Sequence, residues 1–180
     1  KENGFAYLVL LPVLLYFFTE LSIKKIALLT SVFLLVAGLN LAIRAAVLDS
    51  LFLTKQLVLM DNSLIAASNY SERLATTFTM LLKAISLLFV PLNLSFDYSY
   101  NQFPLVGWAD VSVLFSVVIH LGLAFLAIIG LKSKSFFSFA ILFYFISYSL
   151  TANVLYLIGS SFAERFLFAP SFAFCVALPF

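Results

Sequence analysis

Residues 25–44 read KIALLTSVFLLVAGLNLAIR, with 18 uncharged and mostly aliphatic residues between Lys25 and Arg44. About 20 such residues carry a helix across roughly 30 Å of hydrocarbon. Comparable gaps recur outward from this stretch: 17 uncharged residues between Glu2 and Glu20, 21 between Asp110 and Lys132, and 29 between Lys134 and Glu164. They predict four spans, over 4–19, 26–43, 108–131 and 136–158. The apolar stretch 166–180 predicts a fifth span cut short, with Pro170 in its first turn or at a kink. The expected fold class is all-α: a polytopic transmembrane helix bundle of four full spans and a truncated fifth, with one external amphipathic interfacial helix.

Composition agrees with a membrane setting. Of the 180 residues, 64% are hydrophobic and 10% charged, and the mean hydropathy is +1.14. So few ionisable groups cannot clothe a water-soluble globule, whose charged share is about 25%. The net charge of +2 excludes a polybasic nucleic-acid binder. A single cysteine, Cys175, and a single histidine, His120, leave no soft-ligand cluster for a metal, and no cofactor is expected. The chain opens on Lys1 without a signal-peptide pattern and reads as a piece of a longer protein.

Lysines set the expected orientation, because short loops carrying Lys and Arg stay on the cytoplasmic side. Lys24 with Lys25, and Lys132 with Lys134, assign two turns to that side. The segment 45–107 is then an external insertion in a single membrane domain, 1–180. Parity forbids a simple span at 74–90. Its Thr76, Thr79, Lys83 and Ser86 recur at helical spacing opposite Phe78, Leu81, Leu82, Ile85 and Leu88. The expectation is an amphipathic helix in the outer interface or tucked against the bundle, ended by Pro91; the alternative is an ordinary span with Lys83 snorkelling.

Candidate chemistry gathers at the outer boundary. Asp97 stands among Phe96, Tyr98 and Tyr100. Such aromatics anchor a chain at the interface, or they desolvate the carboxylate and raise its pKa toward that of a useful base. Glu164-Arg165 follows the longest uncharged run, and an arginine fork matches a phosphate in two-point contact. The pair marks a helix end or a phosphate site, and Lys1-Glu2 presents the same choice. His120 shares a helical face with Ser112 and Ser116 and reads as structural. Asn40 and Asn153 read as interhelical hydrogen-bond donors. Asn69-Tyr70-Ser71 and Asn93-Leu94-Ser95 match the N-glycosylation pattern.

Four pieces of the chain together resemble a family. They are Lys1-Glu2-Asn3-Gly4, Asp61-Asn62-Ser63, the stretch from Arg73 through Leu94-Ser95-Phe96-Asp97-Tyr98-Ser99-Tyr100, and Ala163-Glu164-Arg165-Phe166-Leu167-Phe168-Ala169-Pro170-Ser171. In this order they resemble the multispanning membrane O-mannosyltransferases with C-terminal tetratricopeptide repeats, of the cadherin-targeting type, and their bacterial relatives. The family pattern is Asp-Asn-Pro where this chain has Asp61-Asn62-Ser63, and Asp-Trp-Ser where it has Asp97-Tyr98-Ser99.

The resemblance implies a polytopic C-type glycosyltransferase that takes a mannose-like sugar from a polyprenyl- or dolichyl-phosphate carrier. Its acceptor is a protein or glycan at the outer face of a bacterial inner membrane or the endoplasmic reticulum membrane. The catalytic acid would lie upstream of this chain, with support from Asp97 and Glu164. Arg165, Lys1 and Arg73 would hold the donor phosphate, whose developing charge a cation stabilises. Asp97, Tyr98, Asp61 and Asn62 would bind sugar or acceptor. The competing expectation is a non-enzymatic transporter or assembly scaffold. A transporter would place charges near the midplane, whereas here they collect at the outer edge.

Overall fold

The structure, a computed structural model, describes residues 2–48, 57–92, 94–95, 98 and 101–177. It contains six α-helices and, among the described residues, no strand. The chain divides into two compact units, Lys1–Gln56 and Leu57–Phe180. This boundary falls within the insertion drawn at 45–107.

The first unit is a helical hairpin of α1 (Ala6–Phe18) and α2 (Ile23–Leu48). Thr19 ends α1: its backbone N–H bonds Leu15 O at 3.1 Å and its hydroxyl donates to the same carbonyl. α2 runs three residues before and five beyond the expected 26–43. Lys24, Lys25 and Arg44 therefore lie inside the helix. Charges mark where hydrocarbon ends, but Lys and Arg are good helix formers and do not stop the backbone. The hydroxyls of Thr30 and Ser31 bond back to Ile26 O and Leu28 O at 2.9 and 2.7 Å. The helix thus carries these polar groups without an outside partner.

The second unit holds α3 (Tyr70–Phe89), α4 (Val111–Ile129), α5 (Phe136–Ser149) and α6 (Phe168–Ala177). α3 begins four residues before the expected 74–90 because Asn69 caps it. The Asn69 side chain accepts the Glu72 N–H at 2.9 Å, and the Glu72 carboxylate accepts the Ser68 N–H at 2.7 Å. This is a reciprocal cap of the kind that fixes helix starts. Asp110 caps α4 by accepting the Ser112 N–H at 2.8 Å and the Ser112 hydroxyl, and the hydroxyl bond first, then the backbone bond, holds its carboxyl below the usual range.

The expected polar face of α3 does not simply turn outward. Thr76 is fully buried, as are Thr77, Met80, Ala84 and Leu87, while Ser86 is exposed. The Thr76, Thr77 and Thr79 hydroxyls bond to carbonyls of their own helix. A threonine satisfied in this way can enter a core at little cost. α3 packs along α4 in the same direction. Near its start the Trp108 indole N–H donates to Ser71 Oγ at 2.8 Å, and Phe78 lies against both Trp108 and His120.

Among the described residues two helices, Ile23–Val47 and Val111–Ile129, are long and apolar enough to cross a membrane. The expected span 136–158 is corrected: α5 stops at Ser149 after 14 residues, and an irregular segment runs on to Ala163. Asn153, expected as an interhelical donor, lies in that segment in the left-handed region, at φ 58°. A run without charge is compatible with lipid, but Thr151, Asn153, Gly159, Ser160 and Ser161 are turn formers. The core of this unit gathers Leu64, Met80, Leu87, Tyr98, Tyr148 and Phe162 where α3, α5 and these loops meet.

Candidate functional site

The buried polar centre of the second unit is built on two asparagines. Asn153 donates through Nδ2 to the carbonyls of Ser160 and Ser161 at 3.0 and 2.9 Å. Its Oδ1 accepts the Ile158 N–H at 2.9 Å and Asn62 Nδ2 at 3.1 Å. One amide thus closes the loop after α5 on itself and ties it to a residue 91 positions earlier. Asparagine suits both tasks, since it tolerates the left-handed backbone and carries two donors and an acceptor. Asn62 also donates to Ile158 O at 2.8 Å and accepts the Leu64 N–H at 3.0 Å, starting the short turn Ser63–Ala66. Its buried amide is engaged on both sides by the scaffold.

Beside this junction lies Glu164. Its Oε1 accepts the Ser95 N–H at 2.6 Å and the Tyr98 hydroxyl at 2.8 Å. Burial first, then the hydrogen bond and charge of Glu164, push the Tyr98 hydroxyl up to about 12. The Tyr98 ring meets Phe162 edge-on at 4.9 Å and Phe103 at 5.8 Å. The Ser161 hydroxyl donates to Tyr98 O at 3.3 Å, and the Ser161 N–H to Asp61 O at 3.2 Å. Three stretches far apart in sequence, 61–63, 95–98 and 160–164, are therefore joined directly.

The sequence-predicted cations stand at the rim. Arg165 is exposed, its guanidinium 5.1 Å from the centre of the Phe166 ring. Arg73 lies over Tyr70 at 4.6 Å, and the Tyr70 hydroxyl donates to Val154 O at 3.5 Å, beside Asn153. Asp61 is half-buried, with its backbone in the junction. Lys1 and Asp97 lie outside the described residues. Sequence reasoning missed the junction roles of Asn153, Ser161, Ser95 and Phe162. The available signal was the group of turn-forming residues inside the longest uncharged run.

The second unit also holds two cavities. One of about 490 Å³ is lined by Leu59, Met60, Ser63, Ala66, Asn101 and Leu105. The other, about 130 Å³ and wholly hydrocarbon in character, lies among α3, α4, α5 and α6 and includes Phe89, Leu123, Tyr144 and Phe174. Tyr144 is held from the far side by His120. His120 Nε2 meets the Tyr144 hydroxyl at 3.2 Å, and its Nδ1 meets Ser116 O at 2.7 Å. A backbone carbonyl can only accept, so Nδ1 carries a proton and donates to Ser116 O, which aims Nε2 at the tyrosine hydroxyl. This histidine bridges α4 and α5. Comparison with protein-family models, curated proteins and solved structures finds no match to this chain.

Proposed function

We propose that this chain is membrane-embedded machinery of a glycosyltransferase. It moves a mannose-like sugar from a polyprenyl- or dolichyl-phosphate carrier to a protein or glycan acceptor on the outer face of a bacterial inner membrane or the endoplasmic reticulum membrane. The observation that carries this reading is the convergence at Glu164 and Asn153 of Asp61-Asn62, Ser95 through Tyr98, and Ala163-Glu164-Arg165. These are three of the four pieces on which the family resemblance rests.

In this reading α1, α2, α4 and α5 cross the bilayer, α6 begins a fifth crossing, and Lys24, Lys25, Lys132 and Lys134 face the cytoplasm. At 1.5 Å per residue α5 covers about 21 Å, leaving the loop 150–163 to fill the outer part of the bundle. Arg165 takes the donor phosphate, with Arg73 and Lys1 as further cations. The guanidinium neutralises charge that grows on the phosphate as the sugar leaves. Glu164, held by the buried Tyr98, fixes the loop that presents its neighbour, while Asp97 and Asp61 contact sugar or acceptor. The catalytic acid comes from an upstream part of the protein.

The test is transfer of radiolabelled mannose from a polyprenyl-phosphate carrier by full-length protein in membranes, with and without Arg165→Ala. Loss of transfer with normal expression is expected. Unchanged transfer moves the phosphate site elsewhere, and solute flux without transfer replaces the enzyme with a transporter.

A further inference from the structure

We propose that the hydrocarbon cavity among α3, α4, α5 and α6 is a lipid site. It takes one acyl chain of an anionic phospholipid whose phosphate sits on Lys132 and Lys134, at the turn between α4 and α5. The proposal rests on the membrane placement in the reading above and not on sugar transfer. The lining selects hydrocarbon: the Tyr144 hydroxyl is engaged by His120 Nε2 at 3.2 Å, and the surface left to the cavity is almost wholly carbon. A buried water needs roughly two to four polar partners, which such a lining does not offer. At roughly 10–15 Å³ for each water-sized group, the cavity's 130 Å³ seats about ten methylene-sized groups.

The two ends of the cavity differ. Asn153 brings the end of α5 beside the start of α6, and Phe143 packs on Phe172 at 5.4 Å, so α5 and α6 lie antiparallel. Tyr144 and Pro170 therefore form one end of the cavity, and Phe137 and Ala177 the other, about 10 Å away along α5. Tyr144 and Pro170 are buried, whereas Phe137 is 51% exposed and Phe89, the last residue of α3, is 68% exposed. The mouth thus opens at the first turn of α5, three residues after Lys134. The closed end is the one nearer Arg165, which disfavours a carrier tail descending from a phosphate held there. Between Asp110 and Glu164 the charged residues are Lys132 and Lys134, with no carboxylate among them. α4 is long and apolar enough to cross a membrane, so the turn at its end lies at a bilayer face, where anionic headgroups meet lysines.

The test places the full chain in vesicles with phosphatidylglycerol or phosphatidylcholine carrying a diazirine near the end of one acyl chain, and maps the crosslinked peptides after illumination. Label is expected on 137–144 and 170–177, about tenfold more from the anionic lipid. Lys132→Gln with Lys134→Gln should remove that preference. Ala177→Phe, at a half-buried position of the mouth, should stop the label on both segments while thermal unfolding stays unchanged. Arg165→Ala should leave the label in place whatever it does to sugar transfer. Equal labelling by the two lipids would overturn the headgroup assignment. Label spread along the exposed face of α4 without enrichment at these segments would overturn the site itself. Displacement by a polyprenyl phosphate, or loss of label in Arg165→Ala, would give the cavity to the donor's tail instead.

Discussion

The runs 26–43, within α2, and 135–163 are both long and free of charge, yet they end in opposite structures. α2 continues for 26 residues, with its hydroxyls bonded to its own backbone. The other run makes 14 residues of helix and then a buried loop whose polar groups find partners across the unit. Charge spacing is identical in kind for the two. What separates them is where the polar side chains that matter are satisfied: the hydroxyls of α2 within one turn, Asn153 and Ser161 beyond Ser149 through contacts that reach Asn62 and Tyr98. Local satisfaction leaves a helix free to face lipid, whereas long-range satisfaction builds a site.

The largest expected effect comes from Asn153→Leu. It strands two carbonyls, the Ile158 N–H and the Asn62 amide, each costing about 1–3 kcal/mol when buried without a partner. It also forces a leucine into left-handed backbone, at roughly 1–2 kcal/mol. A loss of about 4 kcal/mol or more is expected in denaturant unfolding from micelles. Asn40→Leu, on an exposed position of α2, should change stability by less than about 0.5 kcal/mol. Equal effects at the two asparagines would erase the distinction. Asn62→Ala combined with Asn153→Leu should be strongly non-additive, since both break one junction.

The next contrast uses glycine. A Cβ on Gly130 would come within 2.7 Å of Ser138 Cβ and 3.0 Å of Ser135 Cβ, where α5 turns back against the end of α4. The Ser138 hydroxyl also binds Ala127 O across this crossing. Gly130→Ala should cost about 1–3 kcal/mol by overpacking. On α2, a Cβ at Gly38 meets nothing within 4 Å, so Gly38→Ala should stabilise the helix by up to about 1 kcal/mol. Thermal unfolding of both variants in the same detergent reads the difference.

These contrasts show how much was legible in the sequence. Charge gaps located the helices α1, α2 and α4 to within a few residues at most ends, and the start of α5; of these α2 and α4 are long and apolar enough to cross a membrane. They failed at Ser149, where the limit is set by Asn153 and Asn62, and no local pattern announces a bond spanning 91 positions. The face of α3 was misread for a related reason: Thr76 counts as polar in a periodicity, but its hydroxyl bonds Glu72 O and accepts the Val106 N–H at 3.0 Å inside the core. At the candidate site, residue types pointed to Glu164, Arg165 and Tyr98. Their joining through the Ser95 N–H is a tertiary fact.

The smallest effect concerns Tyr98 and distinguishes its hydroxyl from the surface tyrosines. Its folded pKa, raised to about 12 from 10, means that folding favours the protonated hydroxyl. The associated stability is fully present below pH 10 and is lost as pH rises from 10 through 12. Ultraviolet titration should show a phenol ionising near 12, and Tyr98→Phe should remove that phase. Glu164→Gln should move it down but leave it above 10, because burial is the first cause and the carboxylate only the second. A phase that fell to 10 in Glu164→Gln would make the carboxylate the dominant cause. One that did not move would mean that the 2.8 Å bond from Tyr98 to Glu164 is not maintained in the membrane.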